Sequence, residues 1–207
     1  MKIHAVVLIL SFTLLTGCIV GETDHRLYID PSGAVTWVVL ERDLKSTAGS
    51  AAERQSQETA LMGDASVARH PVARAFDLLH PETVCSRVLR PVRPMTIWTE
   101  GRFDSIDNLA RSVLFQLNVT GVVELTTRDR LTTLSIRVDP GQDAENLLDD
   151  DILALAEDVD HYRFVLTSGR FVEAQGFEIF EDGAVAVPVQ QSIAEDEPLL
   201  LSLSWQS

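Results

Sequence analysis

From Val138 to Tyr162 the chain carries no Lys or Arg, yet Asp139, Asp143, Glu145, Asp149, Asp150, Asp151, Glu157, Asp158 and Asp160 all fall there. Crowded carboxylates suit calcium, which takes six to eight oxygen ligands. The Asp139-Pro140-Gly141-Gln142-Asp143 stretch lacks the spacing of a helix–loop–helix calcium site, and a solvated acidic face accounts for the same run, so no metal ligand is assigned. His25, His70, His80 and His161 show neither a His-x-x-x-His nor a His-Glu-x-x-His spacing. His70 and His80 both border prolines, which places them at helix ends as solvated or cap-adjacent side chains. No nucleophile elbow, phosphate-cradling glycine loop or dinucleotide fingerprint occurs. The reading is therefore a non-enzyme, with no catalytic residue, no cofactor and no metal.

Other reactive side chains are scattered. Arg87, Arg90 and Arg93, with Pro91 and Pro94, make one compact basic spot, either a site for carboxylate or phosphate or an ordinary solubilising turn. Cys85 sits in a strand-like run, Thr83–Val88, and reads as a buried inert thiol. Trp37, Trp98 and Trp205 also lie in strand-like runs, as core packing or pocket lining. Asn118-Val119-Thr120 matches a glycosylation acceptor, but Asn118 also suits the residue that ends a helix.

Cys18 stands apart. Lys2 precedes an apolar run from Ala5 to Leu15, broken only by Ser11 and Thr13. That run is too short for a spanning helix, which needs about 20 apolar residues, and has the length of a signal-peptide core. Its end, Leu15-Thr16-Gly17-Cys18, resembles the lipobox of bacterial lipoproteins. The resemblance implies cleavage before Cys18, removal of residues 1–17 and a diacylglycerol on the Cys18 sulfur. Two or three acyl chains hold a protein stably on a bilayer where one does not. Ile19 follows the cysteine instead of the aspartate of inner-membrane retention, which points to the periplasmic leaflet of an outer membrane in a cell that has one. The expected location is thus a cell membrane, on its exported side.

Charge narrows the partners. The chain has 207 residues, with 17 basic against 31 acidic side chains and a net charge of -14. Losing Lys2 with the leader leaves 16 basic residues and a net charge of -15. Nucleic acid is excluded as a partner, because phosphate binding needs a basic face. Anionic headgroups repel such a domain, so membrane contact beyond the anchor requires a local apolar or arginine-bearing surface. Residues 18–26 read as a short tether. Its eight residues after Cys18, at about 3.3–3.6 Å each, keep the domain within about 30 Å of the bilayer.

The elements that must position these residues follow from periodicity. Leu27–Asp30 and Val35–Leu40 flank an Asp30-Pro31-Ser32-Gly33 turn and predict a hairpin. Residues 44–80 read as a helical insertion: a weakly amphipathic helix from Ser50 to Met62, then a second beginning at Pro71. Strands are expected at Val84–Leu89, Pro94–Phe103, Val119–Thr127, Leu131–Val138, Tyr162–Thr167, Phe177–Phe180, Ala184–Val189 and Leu199–Trp205. Helices are expected at 105–117 and Ala144–Glu157. Short turns imply antiparallel pairing. The expectation is one α+β domain, 27–207: an antiparallel, curved sheet of about nine strands with three or four helices packed on it.

The lipobox, the hairpin with its Gly33 turn, Phe103-Asp104-Ser105 before a helix, and Ser168-Gly169-Arg170-Phe171-Val172-Glu173-Ala174-Gln175-Gly176 together resemble the LppM-like domain of actinobacterial lipoproteins. That family has proline-glycine where Ser168-Gly169 stand, and residues 44–80 have no counterpart in it. The resemblance implies an α+β envelope domain, in one form with a lipid-facing cavity, and supplies no catalytic residue. The functional expectation is a membrane-anchored, non-enzymatic binding module for a lipid-like ligand or envelope component. The alternative is an assembly partner in an envelope protein complex.

Overall fold

The computed structural model describes residues 18–139, 152, 155, 161–189 and 197–206. Its first element is the expected hairpin, β1 (Ile19–Ile29) and β2 (Val35–Ser46). Asp30 closes the turn: its Oδ1 accepts from the Ser32 N–H at 2.7 Å, and Gly33 takes a φ of +93° that glycine adopts without strain. β1 begins at Ile19, eight residues earlier than Leu27. Residues 18–26 are therefore not a tether, because Ile19–Arg26 lie within β1, paired with β2 except at the Gly21 bulge.

Two helices fill the 44–80 segment. In α1 (Ala51–Ser66), the Ser50 side chain accepts from the Glu53 N–H while Glu53 bonds back to the Ser50 backbone. Its apolar face is narrow, with Ala65 as its buried residue. α2 (Pro71–Leu78) starts at proline, whose missing N–H costs nothing in the first turn, and buries Val72, Ala73, Ala75 and Phe76. Strands β3 (Thr83–Arg90) and β4 (Met95–Phe103) follow. α3 (Ile106–Gln116) is capped by Ser105, whose Oγ accepts from the Asn108 N–H. It ends at Leu117, and Asn118 takes the left-handed φ of +50° just beyond.

The remaining strands are β5 (Gly121–Arg128), β6 (Leu131–Val138), β7 (Tyr162–Leu166), β8 (Arg170–Gln175), β9 (Phe177–Phe180), β10 (Val185–Pro188) and β11 (Leu199–Gln206). The α+β class stands, but the single curved sheet does not. Among the described residues eleven strands form two sheets: seven in the order β3-β4-β2-β1-β7-β10-β9, and four in the order β5-β6-β11-β8. β8, absent from the expected strands, pairs with β11, and β11 pairs with β6, which sets these strands in the second sheet. The pairing is also not wholly antiparallel, since β1 and β7 run parallel from His25↔Tyr162 to Ile29↔Leu166. The helix expected at 144–157 lies outside the described residues, save Ile152 and Leu155, which are buried in the main core.

Alternation along the strands places the core. In β1, β2 and β4 the residues Leu27, Ile29, Val35, Trp37, Val39, Ile97 and Phe103 all turn inward. Leu134, Leu203 and Trp205 from the four-stranded sheet share that core with Phe76 of α2 and Leu109 of α3. A second cluster, Leu44, Ala65, Met95 and Ile97, seats α1 near the start of β1.

Candidate functional site

Cys18 is exposed, and its backbone is bound into the domain. Its N–H donates to Thr47 Oγ1 at 3.0 Å, while the Thr47 N–H donates to the Cys18 carbonyl at 2.9 Å. The neighbouring Ser46 is buried, and its N–H donates to Glu58 Oε1 at 2.9 Å, tying this end of β2 to α1. Ile19 packs against the Leu44–Met95 cluster below. The residue read as the lipidation point thus stands on a braced platform, one position before a strand.

From that platform runs the outer face of the seven-stranded sheet. Register places its side chains in rows. Nearest Cys18 come Val20 and Lys45, then Glu22, Arg42, Thr96 and Arg90. Next lie Asp24, Leu40, Trp98 and Arg87, then Arg163, Arg26, Val38, Glu100 and Cys85. The last row holds Val165, Tyr28, Thr36 and Arg102. Among the described residues no helix or strand covers this face, because α1–α3 and the four-stranded sheet all meet the sheet from its other side.

The face is organised by its charges. Asp24 is buried, its side chain 6% exposed, between two arginines. Arg26 Nη2 donates to its Oδ2 and Arg163 Nη1 to its Oδ1, each at 3.0 Å. The Arg26 guanidinium is held above its ordinary range by hydrogen bonding with Tyr28 and then with Asp24. Arg87 lies over the Trp98 ring, 4.3 Å from its centre, a cation–π contact that leaves the guanidinium fork at the surface. Arg102 Nε donates to Glu100 Oε1 at 2.7 Å.

Sequence reasoning found part of this surface. Arg87 and Arg90 lie on it, but Arg93 turns away, donating to the Ser46 carbonyl at 3.1 Å and pairing with Glu58 at 3.4 Å. Trp98 is on it, whereas Trp37 and Trp205 are in the core. Cys85 is exposed on it and is not the buried thiol expected, because β3 is an edge strand whose alternate residues face solvent. Asp24, Arg26, Tyr28, Arg102 and Arg163 were missed. The polar sides of β1, β4 and β7 were their local signal, and alternation within one strand cannot reveal which strands align such residues.

The histidines divide. His80 is exposed beyond α2, as expected of a helix end, but His25 and His70 are buried. His25 stacks on Tyr162 with ring centres 4.3 Å apart, and its Nδ1 accepts from the Trp37 indole N–H at 3.3 Å. Tyr162 in turn donates to the Leu155 carbonyl. His70 Nε2 lies 3.0 Å from both Glu41 Oε2 and Thr99 Oγ1, with Ser86 Oγ a further 3.2 Å from Thr99. Carboxylate, imidazole and hydroxyl meet here, but through one ring nitrogen, so the ring cannot pass a proton between them. The set ties α2 to β2 and β4.

Clefts among the described residues open to solvent. One of about 380 Å³ lies between the end of α2 and α3, lined by His80, Glu82, Phe103, Asp104 and Asn108. One of about 370 Å³ crosses the outer side of the four-stranded sheet, with Val122, Arg137, Gln175 and Leu200 on its walls. No group of three or more His, Cys, Asp or Glu among the described residues is placed to hold a metal. Of the acidic run, Asp139 is described and pairs with Arg137 at 3.1 Å; 140–160, Ile152 and Leu155 aside, lie outside the described residues. No helix among the described residues is long and apolar enough to cross a membrane.

No family model matches the chain, and no curated protein matches it. Among solved structures, the folded domain of the Mycobacterium tuberculosis LppM protein, determined by NMR, aligns over 89% of this chain and 88% of its own. The two share 10% identity with a TM-score of 0.37, a likeness that transfers neither a site nor an activity.

Proposed function

We propose that this chain is an exported lipoprotein, anchored through an acylated Cys18, whose α+β domain is a non-enzymatic binding module working against the membrane surface. The observation that carries this reading is the join at Cys18. The last residue of the Leu15–Cys18 motif is itself held by the fold, through Thr47. An acyl group on its sulfur puts the first strand at the headgroups without a spacer. Among the described residues, Trp37, Phe76, Phe103 and Leu109 pack into one core between the sheet and α3. A lipid-like or envelope ligand is therefore assigned to the surface. Metabolic labelling with an alkyne fatty acid tests the anchor. The natural chain takes up label and fractionates with membranes, whereas Cys18→Ser takes up none. An unlabelled natural chain overturns the reading.

The alternative, a partner in an envelope complex, is favoured by Phe115, 80% exposed on α3, and by Val122 and Leu200 on the four-stranded sheet. Crosslinks in intact membranes that centre on these residues select it.

A further inference from the structure

The chain is strongly acidic, yet the outer face of the seven-stranded sheet is not. Arg26, Arg42, Arg87, Arg90, Arg102 and Arg163 lie on it, with Lys45 at its Cys18 end. Against these seven stand Glu22, Asp24, Glu100 and Glu178, and Asp43 in the adjoining bulge. Among the described residues cations are in excess on this face, in a molecule whose net charge is -14. A bilayer senses mainly charges within a Debye length, about 8–10 Å in physiological salt, and packed sheets are about 10 Å apart. Acids borne beyond the opposite sheet are therefore screened, and the near face decides the sign of the interaction.

The same face has the composition of a membrane interface. Trp98 and Tyr28 are amphipathic rings of the kind that settle at headgroup depth. Val20 is 40% exposed and Phe180 43%, and Leu89, in the bulge beside Arg90, is 55% exposed. Arg26 and Arg163 share one carboxylate, and Arg87 uses only its ring-facing side on Trp98, so each keeps donors for phosphate oxygens.

We propose that this face seats on an anionic bilayer surface, its arginines bridging lipid phosphates and its aromatic rings entering the headgroup layer. The proposal rests on the anchored reading for its economy. Acylation at Cys18, at one end of the face, supplies a high local concentration, so a modest electrostatic excess suffices to lay the sheet down.

Cys85 is a native reporter, since it is exposed on this face and the acylated Cys18 has no free thiol. The mature lipidated protein is reconstituted in phosphatidylcholine vesicles, and in vesicles of phosphatidylcholine with an equal share of phosphatidylglycerol. Each is treated with a polyethylene glycol maleimide that cannot enter the bilayer. Labelling of Cys85 is expected to slow about tenfold on the anionic vesicles and to recover in high salt. Arg87→Gln with Arg90→Gln restores most of the rate without lowering the melting temperature. In a Cys85→Ser background, Thr126→Cys on the opposite sheet labels equally on both vesicles. Equal labelling of Cys85 on the two compositions overturns the proposal, as does protection that ignores salt. Intact mass separates the failures. A bare Cys18 thiol overturns the anchor, and co-sedimentation of that chain with the same anionic vesicles still decides the docking.

Discussion

His70 is fully buried between α2 and the sheet, with Glu41 and Thr99 both depending on its Nε2. Replacing it by alanine removes the His70 partner of the Glu41 carboxylate, leaves the Thr99 hydroxyl with Ser86 alone, and opens a hole beneath the helix. His70→Ala is expected to cost about 2–4 kcal/mol, read as a lower urea midpoint with an unchanged slope. A loss below about 0.5 kcal/mol shows that the three groups find other partners. The sequence places His70 correctly at the start of α2, because the following proline marks a first turn. Its burial is not legible there. Glu41 and Thr99 are 29 residues away on either side, and only the β2–β4 register brings them under the helix.

At the scale of elements, α3 shows how local signals and tertiary contacts combine. Ser105, Asp107 and Arg111 are spaced as cap, first-turn acid and i+4 partner, which the sequence displays directly. Burial raises the Asp107 carboxyl, but hydrogen bonds with Ser105 and Arg111 and the guanidinium charge outweigh it, leaving the group below its ordinary value. A lowered folded-state value stabilises the fold above the unfolded value of about 3.9 and is lost as pH falls through the folded one. Thermal stability is therefore expected to decline below about pH 4 partly through this group, and Asp107→Asn to flatten that part of the curve. An acid limb identical in the variant removes Asp107 from the account. Hairpins and helix starts were legible because turns and caps are written within four residues. The division into two sheets was not, because alternation tells which side of a strand is buried and never which strand lies beside it.

The whole molecule is closed by strands remote from those they complete. β7 links β1 to β10 in one sheet, and β11 lies between β6 and β8 in the other. Leu203 and Trp205 of β11 are fully buried, facing the core shared with Leu27 and Phe76. A chain ending before Leu199 is thus expected to lose cooperative unfolding altogether, not merely stability, and to show dispersionless amide NMR signals. A cooperative melt from that truncation puts the four-stranded sheet outside the folding unit. At this scale composition was a poor guide to contact. A net charge of -14 predicts repulsion from anionic surfaces, yet among the described residues strand register gathers an excess of cations on one side.

The bond between Cys18 and Thr47 sets an order of events in time. On the anchored reading, the enzymes that acylate and cleave must draw the residues around Cys18 into their own clefts in the membrane. Once β1 is zipped to β2 from Ile19 onward, no slack remains to reach them. A lone two-stranded hairpin is marginal, however, and this one gains a third strand only when Met95–Phe103 has crossed the membrane to pair with β2. Export of the intervening chain is the interval in which maturation can occur. Folding that outruns it strands the precursor, a clock built into strand order.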